Sequence, residues 1–172
     1  APYNYGWKDQ GAFLREAQFK AQTLIPNSGM ISTNDLVLPY ENNQIHPCNK
    51  LEVGQRLAFM ALCGTYDWKG IACHGPEYKS MEVNGNAAYL SFNYADSGFS
   101  RMKDIKGFEI CGEDRTFYPA EVKVQGQVLV ASSAEVQKPV AVRYCFRNFK
   151  IGNIGNLNGL PMVPFRTDSF EK

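Results

Sequence analysis

The chain has 172 residues, 44% apolar and 20% charged, with 18 lysines and arginines against 17 aspartates and glutamates. This composition excludes a disordered, collagen-like or polybasic chain, and at roughly 150 residues per domain the length allows one domain or two small ones. No apolar run approaches the ~18–20 residues of a membrane span, and Ala1 to Tyr5 lack the basic flank and apolar stretch of a signal peptide, so a soluble chain with no membrane partner and no targeting signal is expected. Residues 1–70 hold six basic and six acidic side chains and residues 71–172 twelve and eleven. Without a basic footprint, nucleic acid is not an expected partner.

The first predicted element is a helix. From Asp9, read as its N-cap, the apolar positions Phe13, Leu14, Ala17, Ala21, Leu24 and Ile25 fall on one stripe until Pro26-Asn27-Ser28-Gly29 stops it. A short strand, Met30 to Leu38, is expected next, then a polar loop from Pro39 to Cys48. A second helix is predicted from Asn49, with Glu52 completing a capping-box variant. Leu51, Gly54, Leu57, Ala58, Ala61 and Leu62 form its expected buried face, and Gly64 its C-cap.

Beyond residue 70 the period becomes two. Tyr78 to Val83 and Ala87 to Tyr94 read as a hairpin around Asn84-Gly85. Further strands are expected at Gly107–Cys111, Thr116–Val124, Val128–Ala131 and Val140–Phe146, where alternation marks a half-buried strand. Six or so short strands predict an antiparallel β-sandwich, so the fold class is α+β overall. The Gly-, Asn- and Pro-rich tail from Asn148 to Lys172 is expected to run irregularly over the surface.

Few residues carry chemistry. Of the two histidines, His46 lies in a polar loop after a predicted strand, where α/β folds keep reactive groups, and is the stronger catalytic candidate. His74, before Gly75-Pro76, is the weaker. No G-x-S-x-G elbow, Gly-Asp-Ser or Gly-Gln-Ser occurs, and Ser97 in Asp96-Ser97-Gly98 reads as a turn. Cys48 is too close to His46 in sequence to form a nucleophile and base pair with it. There is no phosphate loop, H-E-x-x-H or paired-carboxylate pattern, so no cofactor and no metal are expected. The five cysteines (48, 63, 73, 111 and 145) lie 10 to 38 residues apart with no C-x-x-C pair. They read as mostly buried small side chains, at least one of them a free or intermolecular thiol. Tyr3, Tyr5, Trp7 and Trp68 read as core side chains, with sugar stacking as the alternative.

The string Gln44-Ile45-His46-Pro47-Cys48-Asn49-Lys50, continuing Val53-Gly54-Gln55-Arg56-Leu57-Ala58, resembles the C-terminal catalytic block of the sialate O-acetylesterase family of the SGNH hydrolase superfamily. Leu14 to Gln18 resembles the helix before that block, and Pro26 to Met30 the strand leading into it. Pro139 to Tyr144, Gly159-Leu160-Pro161 and Pro164 to Asp168 resemble the end of the family's β domain. The resemblance implies a chain divided into residues 1–70, a helix-strand-loop-helix remnant of the SGNH α/β domain, and residues 71–172, a β-sandwich with an irregular tail. It implies hydrolysis of acetyl esters on sugars, sialic acid or acetylated glycan, with His46 as general base. No residue here matches the family's serine or its oxyanion glycine and asparagine, so the nucleophile is expected outside this chain. Many relatives have an aspartate where Asn43 or Gln44 stands. Either a Ser–His dyad operates, or Asp35 or Glu41 reaches the ring, or activity has decayed.

Two functions follow from these readings. One is the C-terminal portion of a carbohydrate O-acetylesterase, partnered by the missing N-terminal catalytic portion or by a second copy covering the apolar helix face. The other is a non-catalytic β-sandwich that binds glycan or a partner. A periplasmic, secreted or lysosomal location is implied by the resemblance alone.

Overall fold

Two-residue turns and alternating burial build most of this molecule, whose computed structural model describes residues 1–4 and 6–170. In chain order the elements are α1 (Gln10–Ala21), a 3-10 turn (Pro39–Glu41), α2 (Leu51–Gly64), β1 (Glu77–Asn84), β2 (Ala87–Asn93), β3 (Phe108–Cys111), β4 (Tyr118–Pro119), β5 (Glu121–Gln125), β6 (Val128–Ser132), β7 (Ala141–Tyr144) and β8 (Phe165–Arg166). The strands form two antiparallel four-stranded sheets, ordered β1-β2-β6-β5 and β4-β3-β7-β8. The fold is α+β, with the sheets stacked as a sandwich.

Register follows from the turns. Asn84 pairs with Ala87, so the central turn residues are Gly85 and Asn86 and not the expected Asn84-Gly85. Gly85 has φ +60° and Asn86 has no positive φ, the arrangement of a II′ turn with glycine at its first central position. Along β2 the side chains of Ala88, Leu90 and Phe92 are buried while their neighbours are not, and Leu129 and Ala131 of β6 sit beside them. Opposite them, Phe108, Ile110, Val142, Tyr144 and Phe165 complete the core.

The stretch expected to be one strand from Thr116 to Val124 is two, β4 in the second sheet and β5 in the first. The chain changes sheets at Ala120. Period-two alternation continues unbroken through such a corner, so the pattern cannot display it. The tail also departs from expectation. Ile154, Asn156, Leu160 and Met162 are buried, and Phe165 enters the core on β8.

Both faces of β3 and β7 are buried, because α1 lies across the side away from the first sheet. Phe13 of α1 meets Phe146 edge-on at 5.1 Å, and Gly11 N donates to Asn148 Oδ1 at 2.7 Å. Asp9 precedes the helix without capping it through its side chain; its carboxylate instead accepts from Arg147 at 3.0 Å. Of the expected α1 stripe, Leu14, Ala17, Leu24 and Ile25 are exposed, and the helix ends at Ala21. Residues 30–38 form no strand among the described residues. A strand exists only through a neighbour's backbone groups, and none is paired with this segment.

Charged side chains between α1 and the second sheet are paired. Arg143 grips Asp168 at 2.8 and 2.9 Å, Arg147 grips Glu109 at 3.1 and 3.0 Å, and Arg166 grips Glu16 of α1 at 3.0 Å through both nitrogens. Burial alone would raise the carboxyls of Asp168, Glu109 and Glu16, but the arginine hydrogen bonds and charges outweigh it and hold each below its ordinary value. Their contribution to stability is therefore complete above the unfolded carboxylate range near pH ~4 and is lost as pH falls through the lower folded values. The urea midpoint should stay level from pH 7 to about 5 and drop below it. Asp168→Ala should cost about 3 kcal/mol at pH 7 by leaving Arg143 buried without its partner, and should make the acid decline shallower. An equally steep decline in that variant would contradict this account.

Candidate active site

Pro39 starts the loop that carries His46, and a 3-10 turn brings Glu41 inward, where it is 1% exposed. One carboxylate oxygen accepts from Leu38 N and the other from Cys48 N, both at 2.7 Å. Glu41 thus pins the two ends of a short loop to each other. Gln44 N donates to Glu41 O at 2.8 Å, and Asn42 O accepts from Asn4 N at 2.9 Å. The Leu38 N–H, followed by the Cys48 thiol and N–H, holds the Glu41 carboxyl below its ordinary value, and the same contact raises the Cys48 thiol. On the outside of this braced loop Asn43, Gln44, Ile45 and His46 are exposed.

The structure does not bring the candidate acids to the imidazole. Glu41 faces the loop backbone, and Asp35 forms a two-pronged pair with Arg56 at 2.8 and 2.6 Å. Arg56, buried on α2, also donates to Ser32 O at 2.8 Å. Among the described residues, no hydrogen bond or ion pair links His46 to a carboxylate. Asn43 and Gln44 share its loop and its exposure. Asp35 and Glu41 therefore act as positioning groups: one ties α2 to the segment before the loop, the other sets the loop itself.

The loop and the helix that follows it expose apolar side chains. Leu38, Tyr40, Ile45, Leu51 and Leu57 are 46 to 73% exposed, and Phe59 of α2 is 40% exposed. The expected buried face of α2 is bare; Arg56 is the one buried residue of the helix. The cap expected at Asn49 falls instead on Lys50, with no side-chain cap bond, and the helix begins at Leu51; Asn49 and Glu52 bond side chain to side chain. Trp7 and Trp68 are 78 and 58% exposed and are not core side chains. Tyr3 is half-buried, and Tyr5 lies outside the described residues.

Two features went unread in the sequence. Cys63 at the end of α2 is disulfide-bonded to Cys73, while Cys48, Cys111 and Cys145 are free; cysteines ten residues apart carry no pairing signal. His74 stacks on Tyr94, far along the chain, with ring centroids 4.5 Å apart. No group of three or more metal-ligating side chains gathers among the described residues, and no helix there is long and apolar enough to cross a membrane.

No family model matches the chain, and no curated protein matches it in sequence. Among solved structures it superposes on a carbohydrate acetylesterase from Xanthomonas citri with a TM-score of 0.83 and 34% identity, over 92% of this chain. This chain is similar to part of a carbohydrate acetylesterase. It spans 36% of that enzyme's length, so most of the enzyme has no counterpart here.

The bracing role of Glu41 is directly testable. Glu41→Ala should free residues 42–48, seen as amide exchange at least about tenfold faster in that loop with the sandwich unchanged. Glu41→Asp, too short to reach both N–H groups, should fall between the two. Unaltered exchange in both variants would remove the carboxylate from this role.

Proposed function

We propose that this chain is the C-terminal portion of a carbohydrate O-acetylesterase, in which residues 1–70 close an SGNH-type hydrolase domain and residues 71–172 form its β-sandwich. The similarity to the Xanthomonas citri acetylesterase over 92% of the chain carries this reading. An exposed histidine on a braced loop beside an apolar surface supports it. Helix α2 and the loop before it are the seat of the portion that holds the serine, since so many apolar side chains exposed on two adjoining segments mark a surface that another element covers. A homodimer through the same face is the competing outcome.

The chemistry assigned to His46 is that of a general base. As the serine oxygen attacks the acetyl carbonyl, the imidazole takes its proton; it returns that proton to the sugar oxygen as the ester bond breaks. A water then attacks the acetyl-enzyme, giving up its proton to His46, and acetate leaves as the serine recovers a proton. Donors from the other portion hold the oxyanion. Among the described residues no carboxylate bonds the ring, so Asn43 or a loop carbonyl is left to accept from the imidazole. Substrates are acetyl esters on sugars, sialic acid or acetylated glycan. The Cys63–Cys73 disulfide supports an oxidising compartment, periplasmic, secreted or lysosomal.

In the enzyme assembled with its serine-bearing portion, His46→Ala should lower acetyl release by roughly 10²–10⁴-fold. Retained activity would refute the assignment. Turnover of p-nitrophenyl acetate by the 172-residue chain alone, lost on His46→Ala, would place the nucleophile inside this chain. Asn43→Asp tests the missing carboxylate: an unchanged rate means a dyad suffices, and a rise of about tenfold or more means an acid partner was lacking there.

A further inference from the structure

A second concave site opens where the helical segment meets the sandwich, with a volume of about 420 Å³, inside the range of roughly 300–1,000 Å³ in which small-molecule sites fall. The Cys63–Cys73 disulfide and Ile71 wall one side; His74, Tyr94, Asp96, Ser97 and Asn158 line the rest. Its floor is Asn156, 2% exposed. The Asn156 amide nitrogen donates to His74 O at 3.0 Å and Tyr94 O at 3.3 Å, and its oxygen accepts from Leu160 N at 3.1 Å. One buried side chain thereby holds the two ring-bearing backbones side by side.

That fixation has a visible cost. Tyr94 adopts φ +58°, a left-handed conformation that a bulky non-glycine residue rarely takes and that clusters at binding and switch sites. His74 stacks on the Tyr94 ring with centroids 4.5 Å apart, and Tyr94 is still 47% exposed. Next to it the Ala95–Gly98 turn is closed by Gly98 N donating to Ala95 O at 2.8 Å. Ser97 Oγ accepts from Asn158 Nδ2 at 3.3 Å. The Asp96 carboxylate meets no protein donor among the described residues.

This set of groups selects a ligand by exclusion. One carboxylate and no lysine or arginine line the cavity, so phosphates, sulfates, uronic acids and sialic acid are repelled. A half-exposed aromatic ring lining the cavity beside a carboxylate, a hydroxyl and a planar amide matches a sugar ring with one apolar face and several hydroxyls around its rim. A simple organic cation would satisfy Asp96 and the ring but leave Ser97 and Asn158 unused. We propose that this cavity is a subsite for a neutral pyranose unit of a glycan, stacked on Tyr94, with hydroxyls donating to Asp96 and accepting from Asn158. The acetylesterase reading supplies the glycan chain; the subsite itself contains no residue of the His46 loop.

The test titrates the 172-residue chain by heteronuclear NMR with neutral cello-, xylo- and manno-oligosaccharides, with sialyllactose and oligogalacturonate, and with tetramethylammonium. A neutral oligosaccharide should perturb Tyr94, Ser97 and Asn158. Tyr94→Ala and Asp96→Ala should each weaken binding about tenfold. Asp96 lies on an exposed turn, so its variant keeps the test valid if Tyr94→Ala unfolds. The subsite is overturned if no neutral oligosaccharide perturbs these residues, if the anionic sugars or the ammonium ion bind as well or better, or if Asp96→Ala leaves affinity unchanged. Acetyl release by the assembled enzyme from O-acetylated forms of the same glycans separates the two proposals. Release without binding removes the subsite alone, and binding without release removes the esterase reading alone.

Discussion

A sheet covered on both faces has no water for its polar side chains, and the second sheet of this molecule meets that constraint with arginines. Arg143 and Arg166 point into the layer between the sheet and α1, with Arg147 just beyond β7, and each finds a carboxylate with two hydrogen bonds. Their flat guanidinium groups lie against rings as well, Arg143 at 4.1 Å from the Phe117 centroid and Arg166 at 4.7 Å from that of Phe13. Lysine could supply the charge but neither the paired donors nor the stacking plane. Attachment of the N-terminal helix to the sandwich depends on this layer. Arg56 ties α2 to Ser32 and Asp35, and the Cys63–Cys73 bond ties its end to the segment leading into β1.

The same economy recurs at smaller scale in the His46 loop. A single buried carboxylate there replaces the paired backbone of a strand, fixing two N–H groups seven and three residues from itself in sequence. The general-base role proposed for His46 needs an orientation reproducible to a fraction of an ångström, and loops reach that only when their ends are clamped. Glu41 clamps the ends while its neighbours stay open to solvent. Position and proposed reactivity are separated between residues five apart.

How much of this was legible depended on whether a feature is local in sequence. The α1 start, the hairpin around Gly85 and the alternating strands β2 and β6 are set by short-range periodicity and turn chemistry, and they were readable within a residue or two; β7 was placed as closely, but the half-buried alternation expected of it is absent, since α1 buries its second face. The corner at Ala120 and the burial of Leu160, Met162 and Phe165 depend on which sheet a segment meets, and no spacing rule encodes that. The expected strand at 30–38 failed because strand formation is a property of two segments. His46 stood out by its surrounding motif. The duties of Asp35 and Glu41 stayed hidden because a carboxylate near a histidine in sequence has many possible partners in space, and here Arg56 and the loop backbone took them. Tyr94 and His74, twenty residues apart, meet only because Asn156 draws both backbones together from the far end of the chain.

One consequence of α2 concerns length. The His46 loop leads into its first turn and Cys63, in the wall of the Tyr94 cavity, lies in its last. Its 14 residues at about 1.5 Å each give a rod of about 21 Å, held at one end by the disulfide and along its length by Arg56. The helix is a spacer of fixed length between the His46 loop and the Tyr94 cavity. If both proposals above hold, a free monosaccharide occupies only one of these places at a time, whereas a polymer lies along the rod and reaches both.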